Sequence, residues 1–405
     1  MAANYGKIAA GLSTMVSKKR LSDRRSWVGI LKKCGGKKAM KIFLIYGGKS
    51  AEHDISILTA YSITQEVYYQ YYEIEPVYIT RDGQWVKGQV IHQADELRNA
   101  ESLRLSVGKE AVFAQKDQES SIGVLIEPSS IKSEDAVIFP ALHGPNGEDG
   151  TVQGLFEVLG MPYVGAGVLA SAVGMDKIVS KQLFQQAGLP QVPYVPVPKR
   201  YWLHQREDVY NRCEGTLIYP MFVKPANLGS SVGISKAENR EELTEAINLA
   251  FQYDRRVIVE QGLQEAREIE VAVLGNDDIH TSVPGELVKS VEFYDYESKY
   301  INNDVRMQIP ATLSEETTEK IREYAVRAFQ AIDGSGLSRC DFFVTSNSEI
   351  FINEVNTMPG FTQFSMYPSL WKQTGLSYGD LIEELIQLAL RRAEERSQYQ
   401  QKNHQ

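Results

Sequence analysis

Short apolar runs and amphipathic segments alternate along the chain from residue 41 onward. Lys41–Tyr46 is an apolar run that predicts a strand, Asp54–Tyr68 has helical spacing, and Tyr72–Thr80 predicts a second strand. Ala136–Leu142 predicts another buried strand, whereas the polar stretch Trp85–Ser130 has too weak a pattern to assign. Strands that alternate with helices indicate a parallel sheet covered on both faces, with ligands at the carboxyl ends of its strands.

Two further units follow the first. The second contains a helix, a strand, a Gly/Ser-rich loop, a helix and a strand: Asp176–Ala187, Leu217–Pro225, Ala226–Gly233, Glu238–Tyr253 and Arg256–Gln261. The third contains strand Glu268–Leu274, helix Glu315–Ile332, a hairpin and the closing helix Gly379–Arg392. We therefore predict domains at 40–164, 165–263 and 264–395, followed by a frayed polar tail, 396–405.

The hairpin of the third unit carries the most informative side chains. Both arms, residues 338–345 and 349–356, are rich in β-branched and aromatic residues. A loop of two or four residues makes Asp341 face Glu354, and Arg339 then faces Asn356 on the same side of the hairpin. Two carboxylates and an amide oxygen at one place favour a hard cation such as Mg²⁺, which is usually shared with nucleotide phosphates. The alternative is an exposed strand face of solvated charges.

Composition narrows the class of protein. With 405 residues, 43% hydrophobic and 23% charged, the chain resembles an ordinary globular enzyme. Its three cysteines are too few and too widely spaced for a disulfide framework, which fits a reducing cytosol. The net charge is −9 overall, and residues 1–40 hold ten basic residues and a single acid, Asp23, so the rest of the chain has a net charge of −18. An acidic body argues against nucleic acid as a partner.

Residues 1–39 form a basic N-terminal extension. They lack the uninterrupted apolar stretch of a secretory signal, and no later segment is apolar enough to predict membrane insertion. A targeting arm or a membrane-surface segment is one interpretation. We favour another, in which Met40 is the natural start and the extension is disordered or an artefact of an upstream start, so it is left out of the fold prediction.

Three segments have features of nucleotide sites. Gly47-Gly48-Lys49-Ser50 lacks the first glycine of a phosphate loop, and the Gly165–Ala170 segment is a weak dinucleotide fingerprint without a following acid. The loop Lys224–Gly233 is the best candidate, because its backbone N–H groups and its lysine can both contact phosphates. An ordinary flexible hairpin is its structural alternative. Lys177 offers a second cation, and Glu260, at a strand end, can bind adenine or ribose.

Taken in order, these residues resemble an ATP-grasp enzyme, and more narrowly the D-alanine–D-alanine ligases. The matching segments lie between Met40 and the last helix: Tyr46–Ser56, His143–Gly150, Val164–Ser171, Met175–Lys177, Lys224–Gly233, Phe293–Tyr300 and Asn353–Thr362. The resemblance implies an α/β and α+β protein with the ATP-grasp fold. In it, an N-terminal parallel α/β (Rossmann-like) domain precedes two α+β lobes that clamp ATP.

The resemblance also implies the reaction and the nucleotide site. ATP and two D-alanine molecules become D-alanyl-D-alanine, ADP and phosphate through a D-alanyl phosphate, for peptidoglycan precursor synthesis. Two Mg²⁺ or Mn²⁺ ions would be bound by Asp341, Glu354 and Asn356. The phosphates would be contacted by Lys177, Lys224, Ser230, Ser231 and Lys299. The adenosine pocket would be lined by Glu260, Leu263 and Glu268.

Substrate contacts follow from the same resemblance. Glu52 would bind the ammonium of the first D-alanine, with His143 nearby, although a purely structural histidine is the alternative there. Arg339 and the N–H of Gly360 would stabilise the tetrahedral oxyanion. The carboxylate of the second D-alanine would be received by Ser365 and the N–H of Met366. Tyr300 and Ser230 would link to Glu52 across a closed site, with residues 292–304 acting as a lid.

Several alternatives stay open. An ATP-grasp ligase with another acceptor, such as D-lactate or D-serine, is the nearest, and a NAD-dependent oxidoreductase or a non-catalytic nucleotide-binding module are more distant. In the resembled family, enzymes that use D-lactate replace the lid tyrosine by phenylalanine or carry a histidine in a different lid. Because Tyr300 is present here, the sequence favours D-alanine. The family also implies a cytoplasmic homodimer.

The lid tyrosine provides a test of acceptor choice. We expect Tyr300→Phe to increase the use of D-lactate relative to D-alanine, because the phenol no longer links the lid to Glu52. The measurement is the ratio of product formed from the two acceptors in competition, with Tyr294→Phe as a control in the same segment. An unchanged ratio would count against the lid assignment.

Overall fold

Six strands near the N-terminal end form the first sheet of the computed structural model, which describes residues 39–114, 120–289 and 305–402. The strands are β1 Met40–Gly47, β2 Tyr72–Ile79, β3 Trp85–Lys87, β4 Leu105–Gly108, β5 Ser121–Ile126 and β6 Ala136–Pro140. Their spatial order is β4-β5-β3-β2-β1-β6. The predicted strands at 41–46, 72–80 and 136–142 are thereby confirmed, with slightly different ends.

The sheet is mixed, so the prediction of a parallel sheet was correct only for its centre. β1 is parallel to both β2 and β6, whereas β3 is antiparallel to β2 and β5. The unassigned stretch from residue 85 to 130 supplies β3, β4 and β5. These short strands have only one to two buried positions each and therefore lack the continuous apolar run of β1 and β2.

Two helices flank this sheet, and two more follow it. They are α1 His53–Glu66, α2 Thr151–Leu159, α3 Val168–Met175 and α4 Lys177–Gln186. α2 ends at Gly160, whose φ of 69° requires the left-handed region. The side chain of Asp176 caps α4 by accepting hydrogen bonds from the N–H groups of Ile178 and Val179. The cap fixes where α4 begins, and with it the position of Lys177.

The second sheet is antiparallel and has four strands in the order β7-β10-β8-β9. They are β7 Tyr194–Pro198, β8 Met221–Pro225, β9 Ser235–Ala237 and β10 Arg256–Gln261. Its helices are α5 Lys199–His204, α6 Arg206–Thr216 and α7 Arg240–Ala250. β10 has the predicted bounds, whereas β8 starts later than predicted and α7 is shorter because Asn239 caps its N-terminus.

The third sheet runs β14-β13-β11-β15-β16, with β12 paired to β11. Its strands are β11 Arg267–Gly275, β12 His280–Thr281, β13 Gly285–Lys289, β14 Val305–Gln308, β15 Gly336–Val344 and β16 Ile350–Asn356. Helix α8, Glu315–Ala331, packs on β11 and β15 through the apolar positions predicted for it, including Ile321, Ala325 and Ala328. β15 thus lies between two other strands, β11 and β16, and is largely buried.

The β15–β16 hairpin reaches the predicted register by an unpredicted route. The N–H of Thr345 bonds to the carbonyl of Glu349, so the loop has three residues and not two or four, with Ser348 in the left-handed region at φ 63°. That loop alone would shift the pairing by one residue. An irregularity beside Asp341 absorbs the shift, because Asn353 is an extra residue in β16. Asp341 therefore pairs with Glu354 as predicted.

Two helices close the chain, α9 Met366–Gln373 and α10 Tyr378–Lys402. α10 continues well into the segment 396–405 that was predicted to be a frayed tail. In the described stretches, no helix is both long and apolar enough to span a membrane. The described residues from Met40 onward group as one compact unit, with one sheet in each of the three predicted domains, whose exact boundaries stay a prediction.

Arg392 of α10 joins three separate segments. Its guanidinium donates to the carbonyls of Tyr163 and Gly165 and to Ser335 Oγ, at 2.9, 2.5 and 2.6 Å.

We expect Arg392→Met to lower the free energy of unfolding by about 1–3 kcal/mol, because buried carbonyls lose their donor. Urea unfolding measures this. Arg391→Met is the matched control, since Arg391 is 41% exposed and pairs with Glu384 at the surface. Equal losses in the two variants would contradict the assignment.

Candidate active site

Side chains from all three sheets meet beside the β15–β16 hairpin. Three contacts join distant parts of the chain: Ser230 Oγ to Glu52 Oε1 at 2.6 Å, Lys224 Nζ to Asn353 Oδ1 at 3.4 Å, and His143 Nδ1 to the Met358 carbonyl at 3.3 Å. The predicted candidates from separate motifs therefore lie in one connected region. Lys299 and Tyr300 fall outside the described residues.

The hairpin face is organised by Arg339. Its Nε and Nη2 donate to the two carboxylate oxygens of Asp341, each at 2.7 Å, and Nε also lies 3.1 Å from Glu270 Oε2. Asn356 Nδ2 donates to Asp341 Oδ2 at 2.9 Å. Burial alone would lower the pKa of Arg339, but the charges of Asp341 and Glu270 outweigh it and raise that pKa well above its usual value. The guanidinium is therefore a fixed positive charge at this face.

The residues expected to hold divalent ions fit that chemistry. Asp341 and Glu354 are cross-strand partners, and Asn356 contacts Asp341, so two carboxylates and an amide oxygen share one face. These are the hard oxygen donors that Mg²⁺ and Mn²⁺ prefer. In the part of the chain that the structure describes, no group of three or more His, Cys, Asp or Glu residues has a metal-binding arrangement. The candidate set therefore consists of two carboxylates and the amide of Asn356.

Two lysines face the same region. Lys177 Nζ donates to the Leu228 carbonyl at 2.6 Å and lies 3.9 Å from Glu354 Oε2, and burial lowers its pKa. Lys224 Nζ lies 2.5 Å from Glu260 Oε2. Burial would lower the pKa of Lys224, but the adjacent Glu260 carboxylate raises it overall. Two lysine ammonium groups are therefore available for an anionic ligand. The charge of Lys224 is balanced by a close carboxylate, whereas the nearest carboxylate to Lys177 is farther away.

Sequence reasoning missed Lys181, the second partner of Glu260. Its Nζ lies 2.9 Å from Glu260 Oε1, and both side chains are almost completely buried. Burial alone would raise the pKa of Glu260, yet the charges of Lys181 and Lys224 lower it to about 2. The signal was available: Lys181 follows Lys177 by four residues, which places both on one face of a helix.

Leu263 and Glu268 are the other predicted adenosine contacts. Both are half-buried, Leu263 on the segment after β10 and Glu268 on β11.

The loop after β8 contacts Glu52 in a strained conformation. Ser230 and Ser231 both have positive φ, 53° and 58°, which costs a non-glycine residue about 1 kcal/mol or more. Glu52 itself precedes α1, and its N–H donates to Ser50 Oγ at 3.2 Å, which in turn donates to the His143 carbonyl at 2.8 Å. The serine loop and Glu52 thus form a contact that only tertiary structure provides.

Both ring nitrogens of His143 have protein partners. Nδ1 faces the Met358 carbonyl, which can only accept, so Nδ1 carries the proton and Nε2 accepts from Thr59 Oγ1 at 3.0 Å. The ring is 4% exposed, and burial lowers its pKa. This environment favours the structural alternative for His143, in which it positions the loop preceding Gly360. A direct substrate role for His143 stays a prediction.

The candidate carboxylate site lies at the start of α9. Ser365 is its N-cap residue, and Ser365 Oγ accepts the N–H of Thr362 at 3.1 Å. Met366 is the first residue of the helix, so its N–H has no carbonyl partner within the helix. A side chain at Gly360 would approach Ser365 Oγ to 3.3 Å, so Gly360 and Ser365 are adjacent. The helix N-terminus favours an anion here.

Glu148 is a second residue that sequence reasoning did not single out, although it lies in the matched segment His143–Gly150. Its Oε1 accepts the N–H of Gly144 at 2.8 Å. Burial and the charge of Glu52 raise its pKa to about 8. A carboxyl group with this pKa beside Glu52 holds a proton near neutral pH, which limits the negative charge in the region.

Two family models together match most of the chain. The family model for the D-ala D-ala ligase N-terminus matches residues 41–166, and that for the D-ala D-ala ligase C-terminus matches residues 183–387. The chain is 59% identical over 355 residues to a D-alanine–D-alanine ligase of Enterococcus faecalis, covering 87% of this chain and 99% of that one.

Solved structures agree with these matches. The VanG D-Ala:D-Ser ligase from Enterococcus faecalis has a TM-score of 0.73 at 34% identity, covering 87% of this chain and 100% of that one. The D-alanine-D-alanine ligase from Coxiella burnetii has a TM-score of 0.72 at 31% identity, covering 91% and 100%. The fold is therefore that of the ATP-grasp ligases. The chain belongs to the D-alanine–D-alanine ligase family.

The raised pKa of Glu148 predicts a pH-dependent stability. Its carboxyl has a higher pKa in the fold, about 8, than the ordinary value of 4.5, so ionisation opposes folding and stability is lost as pH rises between these values. We expect Glu148→Gln to be more stable than the parent protein above about pH 8, and the gain to shrink towards pH 4.5. Urea unfolding across this range measures it, with the exposed Glu127→Gln as control. A gain independent of pH would contradict the prediction.

Proposed function

We propose that this protein ligates two D-alanine molecules to D-alanyl-D-alanine at the expense of ATP. The carrying observation is the position of Lys177, which lies beside Glu354 and donates to the Leu228 carbonyl in the same loop whose Ser230 meets Glu52. Family membership supports the same conclusion, since close relatives are named D-alanine–D-alanine ligases. Enzymes of this family are ATP-dependent ligases, and we extend their substrates to this chain.

In the first half-reaction, a carboxylate oxygen of the first D-alanine attacks the γ-phosphorus of ATP, and ADP leaves. Lys177 and Lys224 would neutralise the phosphates, with Ser230 and Ser231 covering them and Lys299 as a further cation. Glu260, Leu263 and Glu268 would bind the adenosine. Two Mg²⁺ or Mn²⁺ ions held by Asp341, Glu354 and Asn356 would supply further charge neutralisation when bound. Phosphoryl transfer depends mainly on such positioning and charge.

In the second half-reaction, the amine of the second D-alanine attacks the acyl carbon, and phosphate leaves. Glu52 would hold the ammonium of the first substrate by charge. Arg339 and the N–H of Gly360 would stabilise the oxyanion as it forms. Ser365 and the N–H of Met366 would bind the carboxylate of the second substrate at the positive end of α9.

The choice of acceptor is the finer part of the proposal. One structural neighbour is a D-Ala:D-Ser ligase, so a different acceptor is compatible with the fold. We favour D-alanine because Tyr300 is present and because the relatives with higher identity are D-alanine–D-alanine ligases. We also propose that the protein acts in the cytoplasm as a homodimer, as the family resemblance implies.

Turnover tests the proposed reaction directly. Phosphate release with Mg²⁺-ATP should depend on D-alanine, and its absence would defeat the proposal. Arg339→Met should lower kcat by about 100-fold or more, since an oxyanion donor and the partner of Asp341 are both lost. Arg327→Met is a matched control, because Arg327 lies on α8 and bonds to the carbonyls of Ala187 and Gly188. Equal activity of the two variants would contradict the role of Arg339.

A further inference from the structure

One buried carboxylate in the nucleotide region has two lysine partners. Glu260 on β10 is 2% exposed, and its Oε2 lies 2.5 Å from Lys224 Nζ. Its Oε1 lies 2.9 Å from the Nζ of Lys181, which is 1% exposed on α4. A single carboxylate balances only one ammonium. The second lysine therefore needs an explanation that the proposed ATP contacts do not provide.

Lys181 is fixed beside Glu260. Within the described parts of the chain its Nζ has no well-directed hydrogen bond, so the short ion pair with Glu260 and the Tyr194 ring, 5.5 Å away, compensate its charge. Gln191 Nε2 donates to the Lys181 carbonyl at 2.9 Å and holds this turn of the helix. Moving Lys181 away would leave a charge buried without a partner, which is strongly unfavourable.

Lys224 differs from Lys181 because it has other partners within reach. Its Nζ lies 3.4 Å from Asn353 Oδ1, and the charges of Glu354 and Glu268 also act on it. A triphosphate bound between Lys177 and Lys224 would compete with Glu260 for the Lys224 ammonium. If Lys181 were missing, that exchange would leave Glu260 as a buried carboxylate without a counter-ion.

We propose that Lys181 is a positioning residue for nucleotide binding, acting as the permanent counter-ion of Glu260. Its charge releases Lys224 to the phosphates and keeps Glu260 ionised, so that Glu260 accepts a hydrogen bond from the adenine amino group. The inference rests on the proposed function, because it takes ATP as the ligand of this region. Without Lys181, Glu260 either retains Lys224 or takes up a proton, and nucleotide binding weakens in both cases.

The charges around Glu260 give the proposal a pH signature. The groups facing its carboxylate are Lys181 from α4, Lys224 from β8 and Tyr194 from β7, with Lys177 one helical turn before Lys181. Burial raises the pKa of Glu260, and the two lysines lower it to about 2. Removing Lys181 leaves the burial and deletes one of the opposing charges, so this pKa moves up. When Mg²⁺-ATP also draws Lys224 away, Glu260 of the variant loses its last counter-ion and takes up a proton, so the variant binds Mg²⁺-ATP more tightly as pH falls.

Calorimetric binding of Mg²⁺-ATP, without D-alanine, to the full-length protein tests the proposal. We expect Lys181→Met to raise Kd roughly tenfold or more near about pH 8.5, with partial recovery near about pH 6, whereas the parent protein changes little. Lys320→Met is the matched control, because Lys320 is an exposed lysine on α8 that also lies over a tyrosine ring, 5.8 Å from Tyr324. It should bind ATP like the parent.

The outcomes separate this inference from the proposed function. A parent protein that does not bind Mg²⁺-ATP defeats the proposed function. Normal binding by Lys181→Met, or a loss that is the same at both pH values, overturns the inference alone, since a packing role would not depend on pH. If Lys181→Met fails to fold, the double variant that also carries Glu260→Gln is tested for cooperative unfolding, because it removes the buried carboxylate charge together with its counter-ion. Restored cooperative unfolding supports the counter-ion role, and continued failure overturns it.

Discussion

Compensation of buried charge is the constraint on which this site depends. An active site for a polyanionic nucleotide needs cations in a region with little water, and each buried cation needs an opposite charge before the ligand arrives. Arg339 is held by Asp341 and Glu270, whereas Lys224 is held by Glu260. These ion pairs hold the cationic side chains in place before a ligand binds. A nucleotide or a metal ion then exchanges partners with charged groups that are already positioned.

The backbone adds a second constraint through the β15–β16 hairpin. The three-residue loop and the extra residue Asn353 are two irregularities that cancel, so that Asp341 and Glu354 remain opposite each other. The extra residue also changes which side chains point to the core: Ile352 and Val355 are buried, and Asn353 and Glu354 between them are not. A regular strand would alternate strictly and would put Ile352 and Val355, which are three residues apart, on opposite faces, whereas both are buried here.

Contacts across the sheets explain how distant motifs act together. Glu52 follows the first strand, and its partner Ser230 lies in the loop after β8 with an unfavourable φ that the surrounding contacts maintain. His143 uses both ring nitrogens to connect Thr59 with the segment before Gly360. Strain and buried hydrogen bonds of this kind are typical of sites in which geometry is fixed before the ligand binds.

The sequence by itself determined the order of the main elements and the family resemblance, because hydrophobic periodicity and motif spacing are local properties. The predicted pairing of Asp341 with Glu354 is present, but it depends on a loop length and an extra residue in β16 that the sequence did not reveal. The sequence also did not determine the mixed first sheet, whose short edge strands lack an apolar run, or the end of α10 at Lys402. Only the tertiary structure brought Lys181 and Glu148 beside the candidate residues, although the spacing of Lys181 from Lys177 was a partial signal in the sequence. Their importance comes from burial and from neighbours far along the chain, and neither property can be read from the residues beside them.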